Sequence, residues 1–209
     1  MSGSATKFER LLAEAATFHG HLCAGQVLGV RMALLGLKEL GIRDPRGEDR
    51  KRLIVFVEID RCATDAIMTV TGCTPGKRSM KILPYGKMAA TFVKAGTGKG
   101  VRIVSREDSR KKAMRYAPGP EDLSKVQTEA YKIMPDGELF DMQEVWVQIQ
   151  PEDLPGKPLR RVACSYCGEP VMDMKEVYLS DKPLCWPCAS GSFYYEPLPG
   201  GCPAEKAAC

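Results

Sequence analysis

Residues 52–62 read Arg52-Leu53-Ile54-Val55-Phe56-Val57-Glu58-Ile59-Asp60-Arg61-Cys62, and the fold turns on them. From Arg52 to Ile59 the run is dense in β-branched and aromatic side chains, which is the pattern of a well-buried strand. At Cys62 the pattern changes. Ala63 to about Val70 reads as a short helix, stopped by Thr71-Gly72-Cys73-Thr74-Pro75-Gly76. A thiol therefore stands where a buried strand hands over to a helix, and the free N–H groups and dipole of that helix start favour a thiolate. Asp65, three residues on, is placed to cap the first turn or to support that thiol from behind.

Working outward, Phe8, Leu11, Leu12, Ala15 and Ala16 recur at helical spacing from Lys7 to about Phe18. A glycine-bearing turn follows, Phe18-His19-Gly20-His21-Leu22-Cys23-Ala24-Gly25. A second helix then runs from roughly Gln26 to Leu40, with Gly41 placed to end it. Downstream, strands are expected near Met80 to Leu83, Lys87 to Lys94 and Val101 to Val104. Ser105 to Met134 reads as charged helix interrupted by Pro118-Gly119-Pro120, and Leu139 to Gln150 as one more strand. The linker Pro151 to Pro158, with three prolines and a glycine, is the expected boundary. The expected organisation is a first domain over 1–150, a second over 159–200 and a tail over 201–209.

A composition of 44% hydrophobic and 27% charged residues is that of a globular chain, not of a disordered one. No apolar run approaches the roughly 18 residues that would cross a membrane. Met1 to Thr6 is short and polar and shows no secretion signal, so a cytoplasmic location is expected. The net charge of +4 is modest. The one basic cluster, Arg106, Arg110, Lys111, Lys112 and Arg115, reads as a solvated helix face, and nucleic acid is not an expected partner. Nine cysteines, partly grouped in pairs two residues apart and with no secretion signal, point to metal-binding thiols and not to a disulfide framework.

Cys164-Ser165-Tyr166-Cys167 and Cys185-Trp186-Pro187-Cys188 are two such pairs. Each can turn both sulfurs to one side of a tight knuckle, and two knuckles complete a tetrahedron around zinc at about 2.3 Å per Zn–S bond. Four thiolates leave no open position, so this zinc is expected to be structural, supplying folding energy that so short a segment lacks. The pattern resembles four-cysteine fingers of the TraR/DksA type and treble-clef fingers generally. Tyr166, Trp186, Phe193, Tyr194 and Tyr195 are expected to form the finger's own small core, the other use being a contact surface. Glu169, Asp173 and Glu176 speak against phosphate binding there. Cys202 and Cys209 lie outside the spacing and receive no role.

Both histidines of the chain sit in Phe18-His19-Gly20-His21-Leu22-Cys23. A His-x-His-x-Cys cluster reads either as metal ligands or as a turn whose imidazoles bond to backbone. Cys62 strengthens the metal reading. Cys73 is a thiol that the turn after the helix could bring near the site, or an inert buried one. A straight helix would hold it about 15 Å from Cys62.

Phe18-His19-Gly20-His21-x-Cys23-x-Gly25, Gly29-x-Arg31, Glu58-x-Asp60-x-Cys62-x-x-Asp65-Ala66-Ile67, Thr71-Gly72-Cys73-Thr74-x-Gly76-Lys77 and Tyr85-Gly86-Lys87 together resemble the FmdE family, which takes its name from formylmethanofuran dehydrogenase. Two departures adjoin the site: Ala24 stands in place of a proline, and Met68 in place of a glutamine. The resemblance implies an α+β first domain, a mixed sheet flanked by helices in a thioredoxin-like arrangement, working as a homodimer. It also implies a metal site around His19, His21, Cys23 and Cys62, with zinc as the expected ion, and a four-cysteine finger behind it.

Three function classes follow. The first is a metal-binding accessory of formylmethanofuran dehydrogenase-type or other molybdo- or tungsto-enzyme one-carbon metabolism, with the subunits of those enzymes as partners. The second is an enzyme in its own right. There a zinc on His21, Cys23 and Cys62 would act as a Lewis acid, Asp65 or His19 would carry protons, and Cys62 is an alternative nucleophile. The third is an adaptor or regulator acting through the finger.

Overall fold

Thr6 starts the first helix. Its hydroxyl accepts the Glu9 N–H at 3.2 Å while the Glu9 carboxylate accepts the Thr6 N–H at 2.7 Å, a reciprocal box that fixes the start of α1 (Lys7–His19). The computed structural model describes residues 5–119, 122–196 and 198 and divides into two units, Met1–Ile149 and Gln150–Cys209. α1 buries Leu11, Leu12 and Ala15 and ends at Gly20, whose φ of 94° belongs to the left-handed region that glycine enters without steric penalty. α2 (Ala24–Glu39) is buried along most of its length. It closes with Ile42 N–H on Leu37 O and Gly41 N–H on Lys38 O, so Gly41 lies one place beyond the cap, Leu40.

Within the run from Arg52 to Ile59 lies β1 (Leu53–Val57), followed by α3 (Cys62–Thr71) and β2 (Met80–Ile82). Then come β3 (Ala89–Lys94), β4 (Lys99–Ser105), α4 (Ser109–Tyr116), α5 (Leu123–Ile133), the single turn α6 (Asp136–Leu139) and β5 (Phe140–Trp146). The sheet order is β2-β1-β3-β4-β5. β1 and β2 are parallel across the α3 crossover, and the other pairs are antiparallel. The first unit is thus α+β, a mixed sheet flanked by helices.

Val55, Phe92 and Val101 lie side by side across three strands, as do Val57, Ala90 and Ile103, and all of them join the core with α2 residues Val27, Val30 and Ala33. α2 and α3 approach unusually closely. A Cβ added at Gly29 would stand 2.5 Å from the Ala63 carbonyl oxygen, so only glycine permits this crossing. Arg31 sends one guanidinium nitrogen to the carbonyls of Tyr131 (2.8 Å) and Met134 and another to Asp136 (2.5 Å). This satisfies the last carbonyls of α5 and locks it onto α2. Glu58, at the end of β1 and 6% exposed, takes a two-pronged ion pair from Arg102 of β4 at 2.6 and 2.9 Å.

The second unit opens with a short 3-10 turn, Pro151–Asp153, and carries two small hairpins and a helix. These are β6 (Arg161–Ala163) with β7 (Pro170–Met172), β8 (Val177–Leu179) with β9 (Lys182–Leu184), and α7 (Trp186–Ser190). Cys164 is its one buried residue with an apolar or sulfur-bearing side chain among the described residues, so it has no apolar core of its own. Among the described residues, no helix is long and apolar enough to cross a membrane.

Candidate metal centres

In the first unit, His19 is the last residue of α1, Cys23 is the N-cap of α2 and Cys62 is the first residue of α3. Neither the Cys23 nor the Arg61 N-cap side chain bonds back to its helix, and both cysteines stand at a helix start, where the dipole favours a thiolate. The close helix crossing continues to this point, because a Cβ on Gly25 would lie 3.0 Å from the Cys62 Cβ. One nitrogen of His19 and the sulfurs of Cys23 and Cys62 all lie within 4.8 Å of one another.

His19 Nδ1 is 2.8 Å from Asp65 Oδ2. A carboxylate only accepts, so the Nδ1 proton is donated to Asp65, and in the neutral imidazole the lone pair is then on Nε2. That Nε2 is buried and has no hydrogen-bond partner. A buried unpaired lone pair beside two thiols is what a site for a soft cation leaves behind, and the carboxylate behind the imidazole matches the support that metal-bound histidines receive. Burial raises the Cys62 thiol above its usual range, the adjoining Cys23 thiol adds to the effect, and so does Asp65. A divalent cation would remove the conflict by neutralising both sulfurs. The donor set of one imidazole and two thiolates fits zinc and leaves a coordination position open.

His21 stands apart from these three donors. It is exposed, and its ring leans on that of His19 with centroids 4.6 Å apart. The structure therefore groups His19 with the cysteines and does not bring His21 into that group. Cys73 is not brought to this cluster. It lies past the far end of α3, 2% exposed, with Sγ 3.7 Å from the Leu53 carbonyl, and burial pushes its thiol up. Sequence reasoning misses Gln26, which is wholly buried and donates Nε2 to the Cys62 carbonyl at 2.6 Å. Its only signal is a glutamine at the third position of a helix, which ordinarily reads as a capping residue.

In the second unit, Cys164 follows β6, Cys167 lies in the turn before β7, Cys185 caps α7 and Cys188 is inside it. All four sulfurs lie within 4.8 Å of one another, with Cys167 and Cys185 at 3.9 Å. Burial works against charge on Cys164, yet backbone N–H groups of Cys167, Cys185 and Tyr166 bring its thiol down to about 6. Burial and the neighbouring sulfurs push Cys188 far up. Four sulfurs this close cannot all ionise alone, and a dication lets them. The cluster fits a zinc finger.

The finger's aromatic residues do not form the expected core. Trp186 is 67% exposed and Tyr194 99%, with Tyr166, Phe193 and Tyr195 also open to solvent. The strands are three residues long and cover little, so the cysteine cluster itself occupies the centre. Phe193, Tyr194 and Tyr195 instead pack edge to face on the surface. Glu176 is taken up by Arg160. The basic cluster before and along α4 is ion-paired at the surface, with Arg106 paired to Asp108 and Asp141, Arg110 to Glu107, and Lys112 to Asp108. Cys202 and Cys209 lie outside the described residues.

A family model described as "FmdE, Molybdenum formylmethanofuran dehydrogenase operon" matches residues 18–141, which include every donor of the first centre. The chain is 34% identical over 211 residues to a probable S-adenosyl-L-methionine-binding protein of Archaeoglobus fulgidus. That match covers 90% of this chain and 55% of the relative, so the chain spans about half the length of that curated protein. In fold it is similar to the crystal structure of an FmdE-like protein of the tungsten formylmethanofuran dehydrogenase type from Syntrophus aciditrophicus. The TM-score is 0.60 at 23% identity, over 93% of this chain and 100% of the other.

Proposed function

Because the chain belongs to the FmdE family, we propose that it is a metal-binding accessory protein. It would serve a molybdo- or tungsto-enzyme of one-carbon metabolism of the formylmethanofuran dehydrogenase type. The observation that carries this reading is His19. One ring nitrogen is held by Asp65, and the other is buried and unpaired beside Cys23 and Cys62. Asp65 holds the Nδ1 proton and so aims the Nε2 lone pair, the two helix starts favour the thiolates, and His21 stands at the opening. Bound zinc would supply a Lewis acid with room for one further ligand. The same reading takes zinc as the ion of both centres, a homodimer as the working assembly and the cytoplasm as the compartment. The paired thiols, which need a reducing environment to stay free, support that compartment.

The test is metal content per full-length chain, purified without oxygen, for the wild type, Cys62→Ser and Cys167→Ser. Two metals in the wild type and one in each variant are expected. One metal in the wild type, unchanged in Cys62→Ser, would remove the first centre.

The open coordination position favours a second reading, an enzyme in its own right. In that case Cys62→Ser abolishes turnover while the fold is kept, whereas an accessory protein loses only its metal and its hold on the partner enzyme. The Archaeoglobus relative suggests S-adenosylmethionine as the first small molecule to titrate into the zinc-loaded chain. No heat of binding at millimolar ligand would assign that property to the half of the relative that this chain does not span.

A further inference from the structure

Gln26 has 0% of its surface exposed, yet only half of its carboxamide is paired. Nε2 donates to the Cys62 carbonyl at 2.6 Å, and Oε1 is buried with no partner. Such a group is less favourable in a core than an apolar side chain of the same length, because the unpaired oxygen has lost its water. Packing alone would select leucine or methionine here. The bond it does make must therefore be the reason for its presence.

That bond joins the two thiol-bearing residues. The backbone N–H of Gln26 donates to the Cys23 carbonyl at 3.0 Å, and its side chain holds the Cys62 carbonyl. The Cys62 carbonyl carbon is bonded to the same Cα that carries the thiol side chain. Pinning it fixes the direction in which that side chain leaves α3, as seen from α2. On the far side, the Thr64 hydroxyl donates to Ile59 O at 2.5 Å and Thr64 N–H to Arg61 O at 2.8 Å, so the strand-to-helix turn is held from both flanks. The glycine contacts at Gly25 and Gly29 let α2 and α3 come close, but van der Waals contact leaves them free to slide. A directional bond from one helix to the first peptide of the other removes that freedom.

We propose that Gln26 is a positioning residue that sets the separation and aim of the Cys23 and Cys62 thiolates, so that both reach one metal ion together with His19 Nε2. This rests on the metal-centre reading above. Support of this kind, one bond removed from the ligands, typically governs metal affinity by 10–100-fold.

The test uses the full chain with zinc in its finger, titrated with Co²⁺ against a competing chelator. The thiolate-to-cobalt charge-transfer band is followed, and the Cys62→Ser chain provides the blank. Gln26→Met keeps length and volume but removes both polar atoms. Gln26→Leu likewise removes both polar atoms with a different side-chain shape, and it carries the test should Gln26→Met fail to fold. The expected result is a melting temperature near the wild-type value, Co²⁺ affinity weaker by about 10–100-fold and a shifted charge-transfer band. Unchanged affinity and band in a folded variant would overturn the proposal. So would a lowered melting temperature with the wild-type band intact, because Gln26 would then serve stability alone. A wild-type chain that shows no Co²⁺ band above the blank fails the metal-centre reading itself, and the role of Gln26 falls with it.

Discussion

In the second unit the four cysteines fall within one short stretch, Cys164 to Cys188, surrounded by three-residue strands and exposed aromatic rings. In the first unit the donors His19, Cys23 and Cys62 come from the ends of three helices, gathered by a core that includes Val55, Phe92 and Ile103. The finger has too little apolar burial to fold by itself, so under the proposed reading its metal would make its structure. The helical centre sits in a unit with an ample core, so there the structure would make the metal site. Under that reading identical chemistry, thiolate on a dication, would play opposite parts in one chain.

The largest effect should come from breaking the finger. Cys167→Ser removes one of four ligands, and the coupled folding energy at stake is about 10 kcal/mol or more. Amide signals of the second unit should collapse to random-coil shifts while those of the first unit stay dispersed. A second unit that remains folded without metal would erase the contrast.

Gly29→Val is the next test, since it drives a branched side chain into a space where even a Cβ meets the Ala63 carbonyl oxygen at 2.5 Å. A loss of about 3 kcal/mol in urea unfolding of the first unit is expected, together with loss of its metal, because α2 and α3 carry the two thiols. Retained metal with lowered stability would show that the site tolerates movement of its helices.

Glu58→Gln should cost about 2 kcal/mol by leaving Arg102 without its charged partner. The Arg102 guanidinium holds the Glu58 carboxyl below its usual range in the folded protein. A lowered folded-state value means that the stabilisation is complete above the unfolded carboxylate value of about 4.3 and fades as pH falls through the lower one. Urea midpoints of wild type and variant should therefore differ by a constant amount above about pH 5 and converge in more acidic solution. A gap that widens toward acid would contradict the ion pair.

The smallest effect belongs to Cys62→Ser. In chelator it should change the stability of the first unit by about 1 kcal/mol or less, because the fold does not lean on this centre. A large loss in chelator would make the two centres alike after all.

Much of this arrangement is legible in the residues. The β-branched and aromatic run from Arg52 to Ile59, three residues longer than β1 itself, reads as a buried strand and contains β1, and Gly72 after a short periodic segment marks where α3 stops. The finger is legible because its ligands are neighbours in sequence, so spacing is geometry. The helical centre is only half legible. Two histidines flanking Gly20 can each turn inward, and the choice is made by Asp65, which lies 46 residues away and comes into reach only when α1 docks on α3. The distance of Cys73 from the site follows from the rigid rod of α3 between the two thiols, whereas the solvent-facing aromatics of the finger defeat sequence patterning. Rings near cysteines read as a core unless one knows how little strand there is to cover them.

Cys73 carries a consequence of its own. A thiol sealed under β1 is invisible to alkylating reagents until the core opens, while Cys23 and Cys62 are only partly buried. The chain thus contains a built-in clock for its own breathing. In metal-free protein, the rate at which Cys73 is labelled, set against the rate for a free thiol, gives the fraction of time the first unit spends open, much as amide exchange would. A probe that engineers usually have to install is already buried in this fold.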